Sequence, residues 1–270
     1  MKPSPPTAGI RRDAPRTAPP SAPASALARS LGILRFVAAA AAAPSLAEVV
    51  TGSGLPKATA HRLLVALEAQ GYLRREPGGR RYGIGPALGA LARDALRHGT
   101  AQARRHRILA ALVDEIGETC NLTMPDGTEV LYLDRVEAPW HWRLALDAGS
   151  HVPLHCTASG KLFLSLMPAA ERRELLRILP LKRYTDRTLV SARALERALA
   201  PIRAERLGVD DEEFVPGLVA IAVPVVDGGG RACAALAVHA PTLRVRAEAL
   251  RRFVPALRRA AVAIGRALAP

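Results

Sequence analysis

Apolar positions in the first third of the chain recur with helical spacing and are punctuated by glycine and proline. Leu27, Leu31 and Leu34, with Phe36 and Val37, predict a helix from Ala26 to Ala42 that faces two following helices. Leu46, Val49 and Val50 give a short second helix broken by Gly52 and Gly54. Pro56 opens the third, at a position where its missing N–H costs nothing. Ala60, Leu63, Leu64 and Leu67 form an i, i+3, i+4, i+7 stripe on that helix, and Lys57, Thr59, His61 and Arg62 lie on its other face. Gly71 ends it. Tyr72 to Arg75 and Arg80 to Ile84 then predict a basic hairpin across Glu76-Pro77-Gly78-Gly79. Helix, turn, helix and basic hairpin describe a winged helix-turn-helix, whose cationic helix start is suited to a major groove. Double-stranded DNA is therefore the expected partner. Lys57, Thr59, His61 and Arg62 are expected at the groove, and Arg74, Arg75, Arg80 and Arg81 in or beside the wing.

After Gly85-Pro86, helices are expected over Ala87 to Arg97 and Ala101 to Ile116, separated by His98-Gly99. Apolar Leu88, Leu91 and Ala95 on this connector suggest a surface for a second copy of the chain. From Thr119 the pattern becomes mixed. Strands are expected over Thr119 to Met124, Val130 to Val136, Trp142 to Leu146, Val219 to Val226 and Cys233 to His239. Asp126-Gly127 and Asp227-Gly228-Gly229-Gly230 mark hairpin turns. Helices are expected over Ala158 to Leu166, Ala169 to Ile178, Ala192 to Arg206 and Val245 to Leu268. Hairpins, then helices, then a hairpin predict an α+β domain, an antiparallel sheet with packed helices, and not a doubly wound nucleotide fold. The resulting organisation is a Pro/Ala/Arg-rich tail at 1–24, a winged helix-turn-helix at 25–85, a connector helix at 86–99 and a second domain at 100–270.

Composition narrows the partners. The 270 residues suffice for two cored domains. The longest apolar run, Phe36 to Ala43, is too short to span a bilayer, so no membrane partner is expected. The first 24 residues carry seven Pro and no apolar block before a cleavage site, which predicts a disordered tail and no secretion signal. Residues 1–100 hold 14 Lys and Arg against 5 Asp and Glu, whereas residues 101–270 hold 24 against 19. Most of the net charge of +14 thus lies in the smaller part, as a nucleic-acid binder requires. Cys120, Cys156 and Cys233 are few, odd in number and free of CxxC spacing, which points to the reducing cytoplasm.

The ordered motifs GLPKATAHRLLVALEAQGYL, RRYGIGPAL, GETCNLTM, VLYLDRVEA, VPLHCTASGKLFL, DDEEFVPGLVAIAVPV and AALAVHAPTLRV resemble the IclR-type bacterial transcriptional regulators over residues 27–268. The resemblance implies a GAF-like effector domain behind the winged helix, dimers or tetramers on operator DNA, and control by a small metabolite. It implies repression or dual regulation of a catabolic operon, with no catalytic step and no cofactor. It also places the effector pocket at Thr157-Ala158-Ser159-Gly160, making Ala158 and Ser159 effector contacts. Helix physics agrees: Thr157 suits an N-cap, and small residues leave N–H groups open to a carboxylate. Asp210, Leu218 and Val152 match further pocket positions. Ala220 stands where relatives often carry Cys, and Ala237 and His239 where Ser occurs in relatives that bind small keto acids. With His239 and His141 as titratable groups in a more apolar pocket, an aromatic or longer aliphatic acid fits better than glyoxylate or pyruvate.

Other chemistries are weaker. A phosphate loop would need Gly at His155 and Ser or Thr at Leu162, and a Ser-x-x-Lys pair would need one more residue between Ser159 and Lys161. Gly83-Ile84-Gly85 has its third glycine one residue late for a dinucleotide fingerprint. His141, His151, His155 and Cys156 lack ligand spacing, and no metal is expected. Asp210 to Glu213 reads as a solvated acidic turn. The rival class is a hydrolase or transferase of a small acid, with Ser159 as nucleophile and the basic N-terminus as a tethering arm.

Overall fold

The computed structural model describes residues 25–40, 42–97, 100–140 and 146–268. Contacts divide the chain into units Met1–Ala92 and Arg93–Pro270. The expected strand from Trp142 to Leu146 and the tail at 1–24 lie outside the described residues or nearly so.

The first unit contains α1 (Ala26–Ala39), α2 (Leu46–Ser53), α3 (Lys57–Ala69) and a hairpin of β1 (Leu73–Arg75) and β2 (Tyr82–Ile84). Ser25 caps α1, and Ser45 and Glu48 form a reciprocal capping box on α2, satisfying donors that have no helical acceptor. Leu73 pairs with Ile84 and Arg75 with Tyr82, and the wing tip turns through Gly78 and Gly79, both at positive φ. Ile33, Val37, Val49, Leu64, Leu67, Leu73 and Tyr82 form the core of this unit. The stripe expected on α1 is corrected in part. Val37 is buried and Leu34 and Phe36 pack against the core, joined by Ile33, while Leu27 and Leu31 are 69% and 50% exposed. The helix also ends at Ala39 instead of Ala42, because Ala40 is already extended.

The helix α4 (Pro86–Arg97) spans the division between the units. The second unit continues with α5 (Thr100–Ile116), β3 (Thr119–Asp126), β4 (Glu129–Val136), β5 (His151–Pro153) and α6 (Ala158–Leu166). It closes with α7 (Ala169–Ile178), α8 (Ala192–Glu205), β6 (Gly208–Asp211), β7 (Leu218–Val226), β8 (Ala232–Pro241) and α9 (Val254–Leu268). The antiparallel sheet runs β5-β4-β3-β8-β7-β6. Its short edge strands β5 and β6 carry no expected pattern. The helix expected from Val245 to Leu268 is instead a 3-10 turn over Glu248–Phe253 followed by α9. Pro255 lies in the first turn of α9, where its missing N–H costs no helical hydrogen bond, so the α-helix begins there.

The two faces of the sheet differ in bulk. Val219, Ile221, Val223 and Val225 alternate along β7 toward the core under α5 and α9, joined by Leu236 and Val238 of β8. The opposite side of the same strands is Ala222, Ala235 and Ala237, packed with α6 and α8. Small residues let α6 come close. A Cβ on Gly160 would collide with the Leu154 carbonyl, and one on Gly208 with that of Ala158. Among the described residues, no helix is long and apolar enough to cross a membrane.

Gly160→Ala is expected to destabilise the second unit by about 1–3 kcal/mol, the usual cost of overpacking. A lower thermal midpoint would show it, and an unchanged midpoint would mean that the start of α6 is not pressed onto Leu154.

Candidate functional site

Two surfaces concentrate polar side chains, one in each unit. On α3, Ala60, Leu64 and Leu67 are buried and Leu63 is half-buried, so the helix is held from behind. Lys57, His61 and Arg62 are exposed and Thr59 is half-buried. Ala58 and Val65, which the charge pattern did not single out, are exposed on the same helix, Val65 by 43%. Pro56 precedes the helix without a side-chain cap, which leaves its first N–H groups open to an anion.

The wing arginines are not equivalent. Arg75 meets Glu68 at 3.1 Å, donates to the Gly79 carbonyl at 2.8 Å and lies 4.9 Å over the Tyr82 ring. Arg81 donates to the Ala43 carbonyl at 2.7 Å and pairs with Glu48 at 3.4 Å. Arg74 pairs with Glu76 at 3.1 Å. Arg80, at the wing tip, has no acidic partner among the described residues. Arg75 and Arg81 thus hold the hairpin to the helices, and Arg80 is the cation left for a phosphate.

In the second unit a narrow cleft with a free volume of about 30 Å³, partly open to solvent, lies between α6 and the alanine side of the sheet. Thr157 caps α6, its Oγ1 accepting from Gly160 N at 3.2 Å and donating to the Pro153 carbonyl at 2.8 Å. The N–H groups of Ala158 and Ser159 precede the first helical bond and have no intrahelical acceptor. Both residues line the cleft. Across from them Asp210, Ala220 and His239 are direct cross-strand neighbours on β6, β7 and β8. Val152 and Leu218 form apolar wall, as does Phe214, whose ring packs edge-on against Tyr184 at 5.2 Å.

The segment Asp210 to Glu213 is not the solvated turn expected from its acidity. Asp210 and Glu213 are 4% and 8% exposed, because Gly208–Asp211 is a strand and Lys161 of α6 reaches Glu213. Asp210 Oδ1 accepts from Glu213 N at 2.8 Å. One buried lysine thus faces two buried carboxyls. Burial raises Asp210 to about 7, against the lowering pull of Lys161 and of the Glu213 N–H. Burial also raises Glu213, opposed by Lys161.

Every expected pocket residue that is described, namely Val152, Ala158, Ser159, Asp210, Leu218, Ala220, Ala237 and His239, lines this one cleft. His141 lies outside the described residues. The sequence reading missed Asn121, Thr123 and Tyr132 of the central strands, which also line it. Their signal is a polar residue at every second position of a strand whose other positions are Cys120 and Leu122. His155 donates through Nε2 to the Lys182 carbonyl at 2.9 Å, and burial pushes the Cys156 thiol well up, which suits packing and not reactivity. No group of three metal-ligating side chains occurs among the described residues.

Two family models match this chain. One, described as bacterial transcriptional regulator IclR C-terminal, covers residues 94–266, and the other, the IclR helix-turn-helix domain, covers residues 26–77. The transcriptional regulator SauR of Cupriavidus necator is 46% identical over 217 residues, 80% of this chain and 86% of that protein. The transcriptional repressor IclR of Escherichia coli is 30% identical over 247 residues, 91% of this chain and 90% of that one. The crystal structure of an IclR homologue from Microbacterium hydrocarbonoxydans, complexed with 4-hydroxybenzoate, matches at a TM-score of 0.57 and 27% identity, covering 90% of this chain and 99% of that one. Helix-turn-helix, effector-type α+β sheet and these matches agree: the chain belongs to the IclR family of bacterial transcriptional regulators, which bind DNA and small-molecule effectors, and it is not an enzyme.

Proposed function

We propose that the chain reads an operator with α3 and Arg80 and releases or retains it according to a carboxylic acid bound beneath α6. The observation that carries this reading is the cleft itself: Ala158 and Ser159, whose N–H groups have no intrahelical acceptor, line it together with Ala220 and Ala237. A helix start of that kind favours an anion. The alanine floor and the apolar wall of Val152, Leu218 and Phe214 suit a carbon skeleton longer than two or three atoms. The relative complexed with 4-hydroxybenzoate supports an aromatic acid in this class. Two copies of the chain on a pseudo-palindromic site are the expected assembly, as a dimer or within a tetramer. The winged helix occupies residues 25–85, the connector 86–99 and the effector domain 100–270. An effector that binds one arrangement better than the other shifts DNA affinity by the difference, typically about 1–3 kcal/mol.

On DNA, Arg62 is positioned for a guanine edge, and Arg62→Ala should cost about 1–3 kcal/mol of discrimination at one base pair. Arg80→Ala should reduce the slope of log affinity against log salt by about 0.9, the loss of one phosphate contact. Arg75→Ala should change that slope less, since Arg75 is tied to Glu68 and the Gly79 carbonyl. Fluorescence anisotropy on duplexes selected by the full chain from a random pool measures all three. An Arg80→Ala slope equal to wild type would place Arg80 away from the DNA.

Acid binding should also take up a proton. Lys161, Glu213, Cys156 and Tyr132 surround Asp210, and burial already holds its carboxyl at about 7. An anion beside it raises that value further. Below about 7 the carboxyl is neutral before binding and affinity is flat; above it a proton must be acquired, so affinity falls, approaching about tenfold per pH unit. Calorimetric titration from about pH 6 to 9 reads this slope. Asp210→Asn should abolish it, and a flat wild-type profile would place the acid away from Asp210.

A further inference from the structure

The hydrogen bonds around His239 dictate which of its ring nitrogens carries a proton. Arg135 Nη1 donates to Asn121 Oδ1 at 3.1 Å. A guanidinium has no acceptor, so the amide oxygen must face it, and the amide nitrogen must face the other way. There Asn121 Nδ2 lies 3.0 Å from His239 Nδ1. An amide nitrogen donates, so Nδ1 accepts and carries no hydrogen. Burial, and then the charge of Arg135, push the ring down to about 3, so it is neutral and its proton sits on Nε2. His239 is 7% exposed and lines the cleft. Among the described residues nothing accepts from Nε2. The Nε2–H is thus left for water or for a ligand oxygen in the cleft that His239 lines.

Its place in the cleft is equally specific. The Ala158 carbonyl packs against Gly208, so the start of α6 lies over β6. His239 stands on β8, two strand spacings or roughly 10 Å from Asp210 along the row that passes through Ala220. Between these ends the floor is Ala220, with Ala237 beside His239 on β8. Donors thus stand at both ends of an apolar floor.

We propose that the effector is two-headed: one carboxylate meets the first turn of α6, its skeleton crosses Ala220, and a second oxygen acceptor takes the Nε2–H of His239. This rests on the carboxylate reading above and adds the chemistry of the far end. His239 is then a specificity-determining residue that rejects monoacids ending in a methyl group. Asn121 and Arg135 are positioning residues that fix its polarity.

The test uses the full chain and two matched pairs of acids, glutarate against valerate and terephthalate against 4-methylbenzoate. Calorimetric titration should show each diacid binding about tenfold or more tightly than its partner, the scale of one hydrogen bond to a charged group. The preference should vanish in His239→Leu and persist in His239→Gln, whose amide can accept from Asn121 and still donate to the ligand. Nitrogen-15 correlation spectra of the histidine rings, with His239 assigned by its loss in either variant, should show the Nε2–H tautomer near neutral pH without any ligand. An Nδ1–H tautomer overturns the inference whatever binds. Equal binding within each pair, or a diacid preference that survives in His239→Leu, overturns it while leaving the carboxylate reading intact. Binding of none of the four acids to the wild-type chain overturns both.

Discussion

The second unit depends on a sheet buried on both faces by side chains of unequal size. Along β7 and β8, valine, isoleucine and leucine fill the space under α5 and α9, while alanine occupies the alternate positions under α6. Because side chains alternate strictly across a strand, one register produces a dense core on one face and a shallow floor on the other. Slipping β7 by one residue would turn its alanines into the core under α9 and its valines into the cleft. The cleft is therefore a product of the packing and not an addition to it. The glycines at 160 and 208 extend the same logic, since they bring the backbone of α6 down to the sheet where side chains would hold it away.

Closeness has an electrostatic cost that the local charges offset. Lys161 is buried on α6 and meets Glu213, while Asp210 accepts a backbone hydrogen bond from Glu213. Breaking such a buried pair usually costs far more than an exposed one, because the remaining charge loses both its partner and its water. The trio fixes α6 to the edge strand β6 and leaves Asp210 near its titration point at the mouth of the helix start. Across the cleft the relay from Arg135 through Asn121 to His239 is built differently, with its charge turned away from the ligand and only a neutral donor presented. One end of the cleft can thus answer to protonation, and the other cannot.

Much of this was legible in the sequence, for identifiable reasons. The third helix was visible because Ala60, Leu64 and Leu67 repeat at helical spacing, and the main strands because their alternation is long. On α1 the later positions of the stripe, Leu34, Phe36 and Val37, pack into the core, whereas Leu27 and Leu31 have the right spacing but nothing covers them among the described residues of their unit. The edge strands β5 and β6 were not visible: three or four residues containing proline or aspartate carry no periodicity. Pairing also escaped the sequence. Counting arginines suggested four equivalent wing cations, whereas Glu48, Glu68 and Glu76 engage three of them. The pocket positions came from the family's motifs, but Asn121 and Tyr132 become pocket residues only when β3 and β4 are placed beside β8.

The central claim, that the alanine side of the sheet beneath α6 is where the chain senses an acid, is tested most directly by hydrogen exchange on the full chain. Terephthalate, added at saturation, should slow exchange in the start of α6, in β6 and in the facing stretches of β7 and β8, with little change in α7. Protection confined to α7 and α8, or a change in DNA affinity with no protection around α6, would contradict the account.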